Sequence, residues 1–501
     1  MTRAARGRSP LVWPAVLLTL VLTPSLRTGA VAAQTLGGPA GVAGELTESE
    51  LTPAQSAFVD TLERRTFFFF WDLADPATGL MPDRWPSKTF ISIGATGFAL
   101  TANPIGAERK WVTREQAAAR TLKTLDFLWN SKQDTARAGA TGYKGFFYHF
   151  VNFGTGARFK DVELSNIDTA LLFAGALFCQ SYFDGGGKTE RRIRALVDSL
   201  VQRADWTWFR VRPPKLSLGW SPEEGFLPYD WGGYNETMIL FVLALGSTRH
   251  VVGADTYKAY TESYKWGNFE GQDYLGFAPL FGHQYTHVWI DLRSLGDDFM
   301  RAKKIDYFEN SRRATYAQRA YAIANPSHFK DYGADVWGLT ACDGPMDGKL
   351  TVDGREREFH SYEARGASHE RVTDDGTIAP AAAGGSMPFA PEICLPALMA
   401  LRERYGDHVF RQYGFVDAFN PTLDVAARTP AGGQVVPGVG WFDDDYLGID
   451  QGPILAMVEN WRTGLVWKYT RKNAYFRRGL FAMGFRGGWL ETWSRRSGLR
   501  R

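Results

Sequence analysis

Beyond about Gly44, apolar residues recur with helical spacing along almost the whole chain, and the strict alternation of a half-buried strand is scarce. Thr52-Pro53 is a helix-start signal, and Pro53–Leu73 runs into an aromatic end at Phe67–Trp71 that predicts burial. Thr113–Trp129 groups Leu122, Leu125, Phe127 and Leu128 on one side. Thr189–Trp208 sets Ile193, Leu196, Leu200 and Val201 opposite its Arg and Lys residues. One wet face apiece makes these outer helices.

A second kind of segment is apolar nearly all round and opens beside a polar, Gly-rich or aromatic loop: Ile93–Leu100, Ile167–Leu177, Tyr234–Leu245, Arg312–Ile323, Phe389–Leu401 and Ile449–Val458. Their starts recur every ~60–78 residues, the length of an outer helix, an inner helix and two loops. The predicted fold is all-α, an (α/α)6 toroid whose inner ring is enclosed by an outer one, with long loops forming a cleft on one face. Two separate helical domains are the alternative. Pro/Gly-rich breaks at Pro213–Pro228, Asp343–Asp353 and Pro430–Gly440 read as barrel loops, and Lys349–Asp375 as a small hairpin or lid.

The first residues carry Arg3, Arg6 and Arg8, then apolar Leu11–Leu22, then small residues through Ala30, Ala32 and Ala33. This is the layout of a secretory signal peptide over residues 1–33, followed by a flexible leader over 34–50 and one catalytic domain over 51–495. The apolar run is shorter than the ~20 residues of a membrane span. The expected location is periplasmic or secreted, with no stable span after cleavage.

Charge and cysteine content narrow the chemistry. Against 54 acidic residues stand 57 Lys and Arg, a net +3, too even for nucleic-acid binding through a basic field. Cys179, Cys342 and Cys394 are odd in number and widely spaced, so they form no disulfide framework and read as buried thiols. No zinc-ligand spacing, P-loop, GxGxxG or GxSxG occurs. No metal or cofactor is expected, and the chain is expected to act as a monomer.

The informative pattern is an acid coupled to aromatics where an inner helix starts. In Trp231-Gly-Gly-Tyr-Asn-Glu236 the Gly pair permits a tight turn and places Glu236 in the first turn of an apolar helix. Asp450 stands just before Gly452-Pro453, and Asp168 in Ser165-Asn-Ile-Asp168 marks a third such start. Each acid alone is accounted for as a helix-start carboxylate held by free amides and the helix dipole. Aromatic neighbours go beyond what caps need, because sugar rings stack on indole and phenol faces while carboxylates, Asn, Gln and Arg bond hydroxyls. An acid pair is also what glycosidic cleavage requires. Glu236, between Tyr234 and an apolar run, suits the protonated acid; Asp450, near Asp445 and Gln451, suits the ionised partner. Trp231, Tyr234, Trp289, Trp337 and Trp441 are candidate cleft walls, Asn235, His283, Gln284, Asp291, Arg293, Arg312 and Asp343 candidate substrate contacts, and His149 and His287 hydrogen-bonded groups. Asp168 and Asp343 compete with Asp450 for the role of base.

Six collinear motifs, Trp231–Glu236, Phe281–Asp291, Asp306–Thr315, Trp337–Pro345, Asp375–Pro380 and Tyr446–Pro453, resemble the bacterial glucoamylase-like family that includes endo-β-1,2-glucanases (glycoside hydrolase family 144). The likeness spans about residues 55–490. It implies an (α/α)6 barrel and an inverting, endo-acting attack on β-1,2-linked glucan without an obligatory metal, with the proton donor on Glu236 and the base on Asp450, reached through a substrate hydroxyl where it does not touch water. Asp168 would be a subsite residue or a second essential acid. A transglycosylase, a hydrolase of another β-glucan and a non-catalytic glucan-binding protein are the competing expectations.

Overall fold

Serine, threonine and aspartate side chains start many of the helices. Ser92, Thr113, Ser165 and Asp306 each accept a hydrogen bond from a first-turn amide, as does Thr52, which pairs reciprocally with Gln55. The computed structural model describes residues 46–425 and 430–491. The segments expected as a signal peptide at 1–33 and as a leader up to residue 45 lie outside the described residues. Of the leader's last part, Leu46 accepts a hydrogen bond from Trp461 and Glu48 pairs with Arg462 at 2.6 Å.

The helices in chain order are α1 (Pro53–Leu73), α2 (Ile93–Glu108), α3 (Arg114–Asn130), α4 (Asn166–Tyr182), α5 (Lys188–Arg203), α6 (Met238–Gly246), α7 (Ala254–Thr261), α8 (Phe281–Trp289), α9 (Asp298–Lys303), α10 (Tyr307–Ala324), α11 (Pro380–Gly384), α12 (Pro391–Tyr405), α13 (Gly448–Thr463), α14 (Leu465–Thr470) and α15 (Ala474–Ala482). Among the described residues, α2, α4, α6, α8, α11 and α13 are buried on nearly every side, whereas α1, α3, α5, α7, α10 and α12 each keep a wet strip. Buried helices pack on buried helices, α2 on α4, α4 on α6, α11 on α13 and α13 back on α2, with α3 and α5 packed outside. The molecule is thus helix-rich in the pattern of an α/α toroid. No described helix is long and apolar enough to cross a membrane.

Two of the expected inner segments belong outside. Arg312–Ile323 lies in α10 and Phe389–Leu401 largely in α12, both half-exposed along one side. The buried partners are α8, whose polar residues disguise it in sequence, and the five-residue, Ala-rich α11. Polar α8 is tolerated inside because its groups are bonded: Gln284 donates to the Ala382 carbonyl and Ser386 Oγ, each at 2.9 Å.

Close helix approach uses glycine. A Cβ on Gly175 of α4 would stand 2.0 Å from the Gly97 carbonyl oxygen of α2, and one on Gly479 of α15 would stand 1.8 Å from that of Val242 in α6. Short strands then pin the loops at the start of the buried helices. Ile91–Ser92, paired with Phe150–Val151, leads into α2. Leu164–Ser165, within a five-stranded sheet, leads into α4, and Tyr446–Leu447, paired with Arg84–Trp85, leads into α13. Residues Gly348–Val352 and Arg355–Phe359 form an antiparallel hairpin in the stretch where one is expected. Cys179, Cys342 and Cys394 are buried and free.

Candidate active site

The N-terminal ends of four buried helices meet. A Cβ on Gly94, in the first turn of α2, would lie 2.6 Å from Asp168 Oδ1 of α4 and 3.4 Å from the Ile449 side chain of α13. From α8, the Tyr285 hydroxyl donates to the Ile449 carbonyl at 3.3 Å, and the Thr286 hydroxyl to the Glu236 carbonyl just before α6 at 3.5 Å. The charges of Asp450, Glu236 and Asp168 all act on the Tyr285 phenol and, together with burial, keep it neutral. Three acids more than 60 residues apart in sequence therefore surround one tyrosine.

Glu236 sits in a half-buried turn. Asn235 braces that turn: its Oδ1 accepts the Thr237 amide at 3.0 Å, and its own amide donates to the Tyr260 hydroxyl at 3.2 Å. Burial pushes the Glu236 carboxyl up to about 7, against one backbone hydrogen bond and with help from the Asp168 charge. Asp168 also lies above its ordinary range through burial, opposed by the adjacent His149 and by Ser165, whose hydroxyl donates to its Oδ2 at 2.5 Å.

Asp450 departs from the ionised state expected of it. It is buried beside other acids, and burial with the charges of Asp343 and Asp83 pushes it up to about 8, against the effects of neighbouring Asp417 and of the Arg84 charge. Sequence proximity to polar Asp445 and Gln451 misleads here: Asp445 is tied to Ser87, and Gln451 points its amide at the Phe415 carbonyl.

Asp343 does join this group. Its Oδ2 accepts Arg84 Nη1 at 2.6 Å, its amide donates to Asp417 Oδ2 at 2.8 Å, and burial raises its carboxyl to about 6. Tyr362, register partner of Asp343 in a short antiparallel pair, faces Asp450 and Asp417. Carboxylate oxygens of Asp343, Asp417 and Asp443 lie within 4.8 Å of one another. Asp343 Oδ1, Asp417 Oδ1 and Asp443 Oδ2 carry no hydrogen bond among the described residues. That trio has the donor type a divalent cation takes, and equally the acceptors that sugar hydroxyls need.

Several expected contacts do not reach this site. Asp291 and Arg293 follow the C-terminal end of α8, away from Tyr285, where Asp291 pairs with Arg293 and Arg471 and its carbonyl accepts Trp489. Trp289 is a core residue: its ring stacks on Phe98 at 5.1 Å and its Nε1 donates to Thr101. Trp337 and Trp441 are fully buried, the latter donating to the Gly432 carbonyl. His283 is buried against the Phe277 carbonyl, Gln284 ties α8 to the α11 end, and Arg312 pairs with Glu392 at 2.7 Å on the outer layer. Tyr234 is buried and stacks on Tyr307, so its ring is packed into the core rather than open to a cleft. Trp231 alone of the five aromatics remains half-buried, its Nε1 bonded to Asn166 Oδ1 at 2.9 Å. The residues unnoticed in sequence are Arg84, Glu163, Asp417, Tyr285 and Tyr362, whereas Asp443 stands in a visible run of three consecutive acids, Asp443–Asp445.

Residues 228–474 match the protein family described as "Putative glucoamylase". The crystal structure of a protein so described from Bacteroides fragilis NCTC 9343 is 32% identical, covering 90% of this chain and 100% of that one, with a TM-score of 0.74. The endo-β-1,2-glucanase of Chitinophaga pinensis, solved with sophorotriose and glucose, is 28% identical over 87% of this chain and 100% of that one, also with a TM-score of 0.74. An exo-β-1,2-glucooligosaccharide sophorohydrolase acting at the non-reducing end, from Parabacteroides distasonis, is 28% identical over 456 residues, 84% of this chain. The chain spans 57% of that relative's length. With matches that run the length of the helical body and include both acid-bearing turns, the chain belongs to the glucoamylase-like family.

Proposed function

We propose that the protein is an exported glycoside hydrolase that cleaves β-1,2-linked glucan by an inverting, endo-acting mechanism on an (α/α)6 toroid. The observation that carries this reading is the convergence of Glu236, Asp168 and Asp450 around Tyr285 at the starts of buried helices. Kinship with β-1,2-glucan hydrolases supports the substrate class.

Glu236 is the general acid. With its carboxyl raised to about 7, it holds a proton in neutral water and can pass it to the leaving glycosidic oxygen. Asp450 is the base, and its high proton affinity is shared. Asp450 and Asp417 act on each other's titration, so a single proton held between the two would leave the pair a basic oxygen. That oxygen takes a proton from water, directly or through a substrate hydroxyl, as the water attacks the anomeric carbon from the face opposite the leaving group. Asp168, Asp343 and Trp231 bind the sugar.

Purified protein incubated with linear β-1,2-glucan tests the reading. Release of shorter oligosaccharides whose new reducing ends first appear as the inverted anomer, followed by proton NMR, is the expected result. Longer or cyclic products would assign transfer instead of hydrolysis, and no release from this or other β-glucans would leave a binding protein.

A further inference from the structure

His149 lies outside every described helix, and its backbone and ring are held by specific partners while 32% of its side chain stays exposed. Its amide donates to the Glu163 carbonyl at 3.0 Å, and its own carbonyl accepts the Ile93 amide at the start of α2 at 3.1 Å. The ring lies flat on Phe150, with centroids 3.9 Å apart and planes 23° from parallel. Its two nitrogens face two different acids: Nδ1 stands 2.9 Å from Glu163 Oε1, and Nε2 stands 3.6 Å from Asp168 Oδ2. A neutral imidazole could hydrogen-bond Glu163 but would bring no charge to Asp168; an imidazolium bonds Glu163 and forms an ion pair with Asp168 as well.

We propose that His149 is a positioning residue of the reaction, an imidazolium clamp between Glu163 and Asp168 that holds Asp168 as an anion beside Glu236. The inference rests on the hydrolase reading, in which Asp168 binds a substrate hydroxyl and Glu236 donates the proton. Burial alone would pull the His149 proton off, but the charges of Asp168, Glu163 and Asp83 outweigh it and raise the imidazole to about 10, so it stays charged through the neutral range. The groups facing Asp168 include His149, Ser165, Glu163, Asp83, Glu236 and Tyr285, and among these only His149 brings positive charge. Without it, burial and the two neighbouring carboxylates act together to protonate Asp168. An uncharged Asp168 is a poorer acceptor for a sugar hydroxyl and no longer favours the proton on Glu236.

Two measurements on the full-length protein test this. In nitrogen-15 spectra, with the His149 signals assigned by their loss in His149→Gln, the ring keeps both N–H protons through pH 8 in wild type, and Asp168→Asn lowers the pH at which it titrates. In kinetics on linear β-1,2-glucan, His149→Gln lowers kcat/KM by roughly tenfold or more and moves its acid limb up by about one pH unit, while adding the same change to Asp168→Asn costs little further. An imidazole that titrates near pH 6.5 in wild type overturns the clamp, as does an equal cost of His149→Gln in both backgrounds with the limb unmoved. If wild type releases no sugar, the hydrolase reading fails and the spectra alone decide the clamp.

Discussion

Replacing Glu236 by Gln removes the proposed acid and should also stabilise the protein at alkaline pH. In the folded protein this carboxyl rises from its ordinary 4.5 to about 7, chiefly through burial. Between those two values the folded state binds more protons at this site than the unfolded chain, so folding stability falls as pH rises through the interval and stays low above it. At 1.36 kcal/mol per pH unit the full cost is about 3 kcal/mol, trimmed to about 1–3 kcal/mol because water reaches a half-buried group. Gln keeps the shape and carries no charge to desolvate. Denaturant unfolding at pH 5 and pH 8 should therefore find the variant close to wild type at the lower pH and more stable by about 1–3 kcal/mol at the higher. The same variant should lose about 10²–10⁴-fold in kcat on β-1,2-glucan. Wild-type kcat/KM should decline above about pH 7 as Glu236 ionises, although limbs near 7 and 8 belong jointly to Glu236 and the Asp450–Asp417 pair. A Gln variant that is inactive yet gains no stability at pH 8 would refute the claim that the site holds this carboxyl in a desolvated, proton-retaining state.

Gly175→Ala puts a methyl 2.0 Å from the Gly97 carbonyl oxygen and should force α2 and α4 apart, costing about 1–3 kcal/mol by denaturant titration. Arg84→Met leaves Asp343 and Asp83 without their cation and should destabilise by about 3–5 kcal/mol at pH 8 but much less at pH 5, where the acids accept protons; an equal loss at both pH values would contradict the pairing. Trp231→Ala should raise KM for glucan with a smaller effect on kcat, measured by reducing-end release. Trp289→Phe should cost stability through the lost Thr101 hydrogen bond, with KM unchanged.

Periodicity made the ring arrangement legible where burial and polarity agree. Pro53–Leu73 matches α1 at both ends, and the starts of α2, α4 and α13 fall within a residue of the apolar segments beginning at Ile93, Ile167 and Ile449. It failed where they disagree. Helix α8 carries Gln284, His283 and His287 in its buried face and so hides among hydrophilic sequence, while α11 spans only Pro380–Gly384, too short for a period to register. Apolar content then promoted their outer neighbours, α10 and α12, in their place. The site acids were legible for a different reason: Glu236, Asp168 and Asp450 each stand beside a local turn or cap signal, and local signals survive without knowledge of the fold.

What a single sequence cannot display is company. Asp450 reads as a solvated acid from its neighbours Asp445 and Gln451, yet the nearby residues that shift its proton affinity, Asp417, Asp343, Asp83 and Arg84, come from loops up to some 367 positions away. Trp289 and Asp291 erred in the opposite direction. They close the motif Phe281–Asp291, and α8 spans Phe281–Trp289, so its length carries them away from the end of α8 that begins the motif. A helix that starts at the site ends away from it, so most of the site residues, Tyr285 of α8 apart, lie in the first turn of a buried helix or the connection before it. His149, Arg84 and Tyr362 all lie in the connections before buried helices, which brings His149 to Asp168 and sets Arg84 and Tyr362 within electrostatic reach of Asp450.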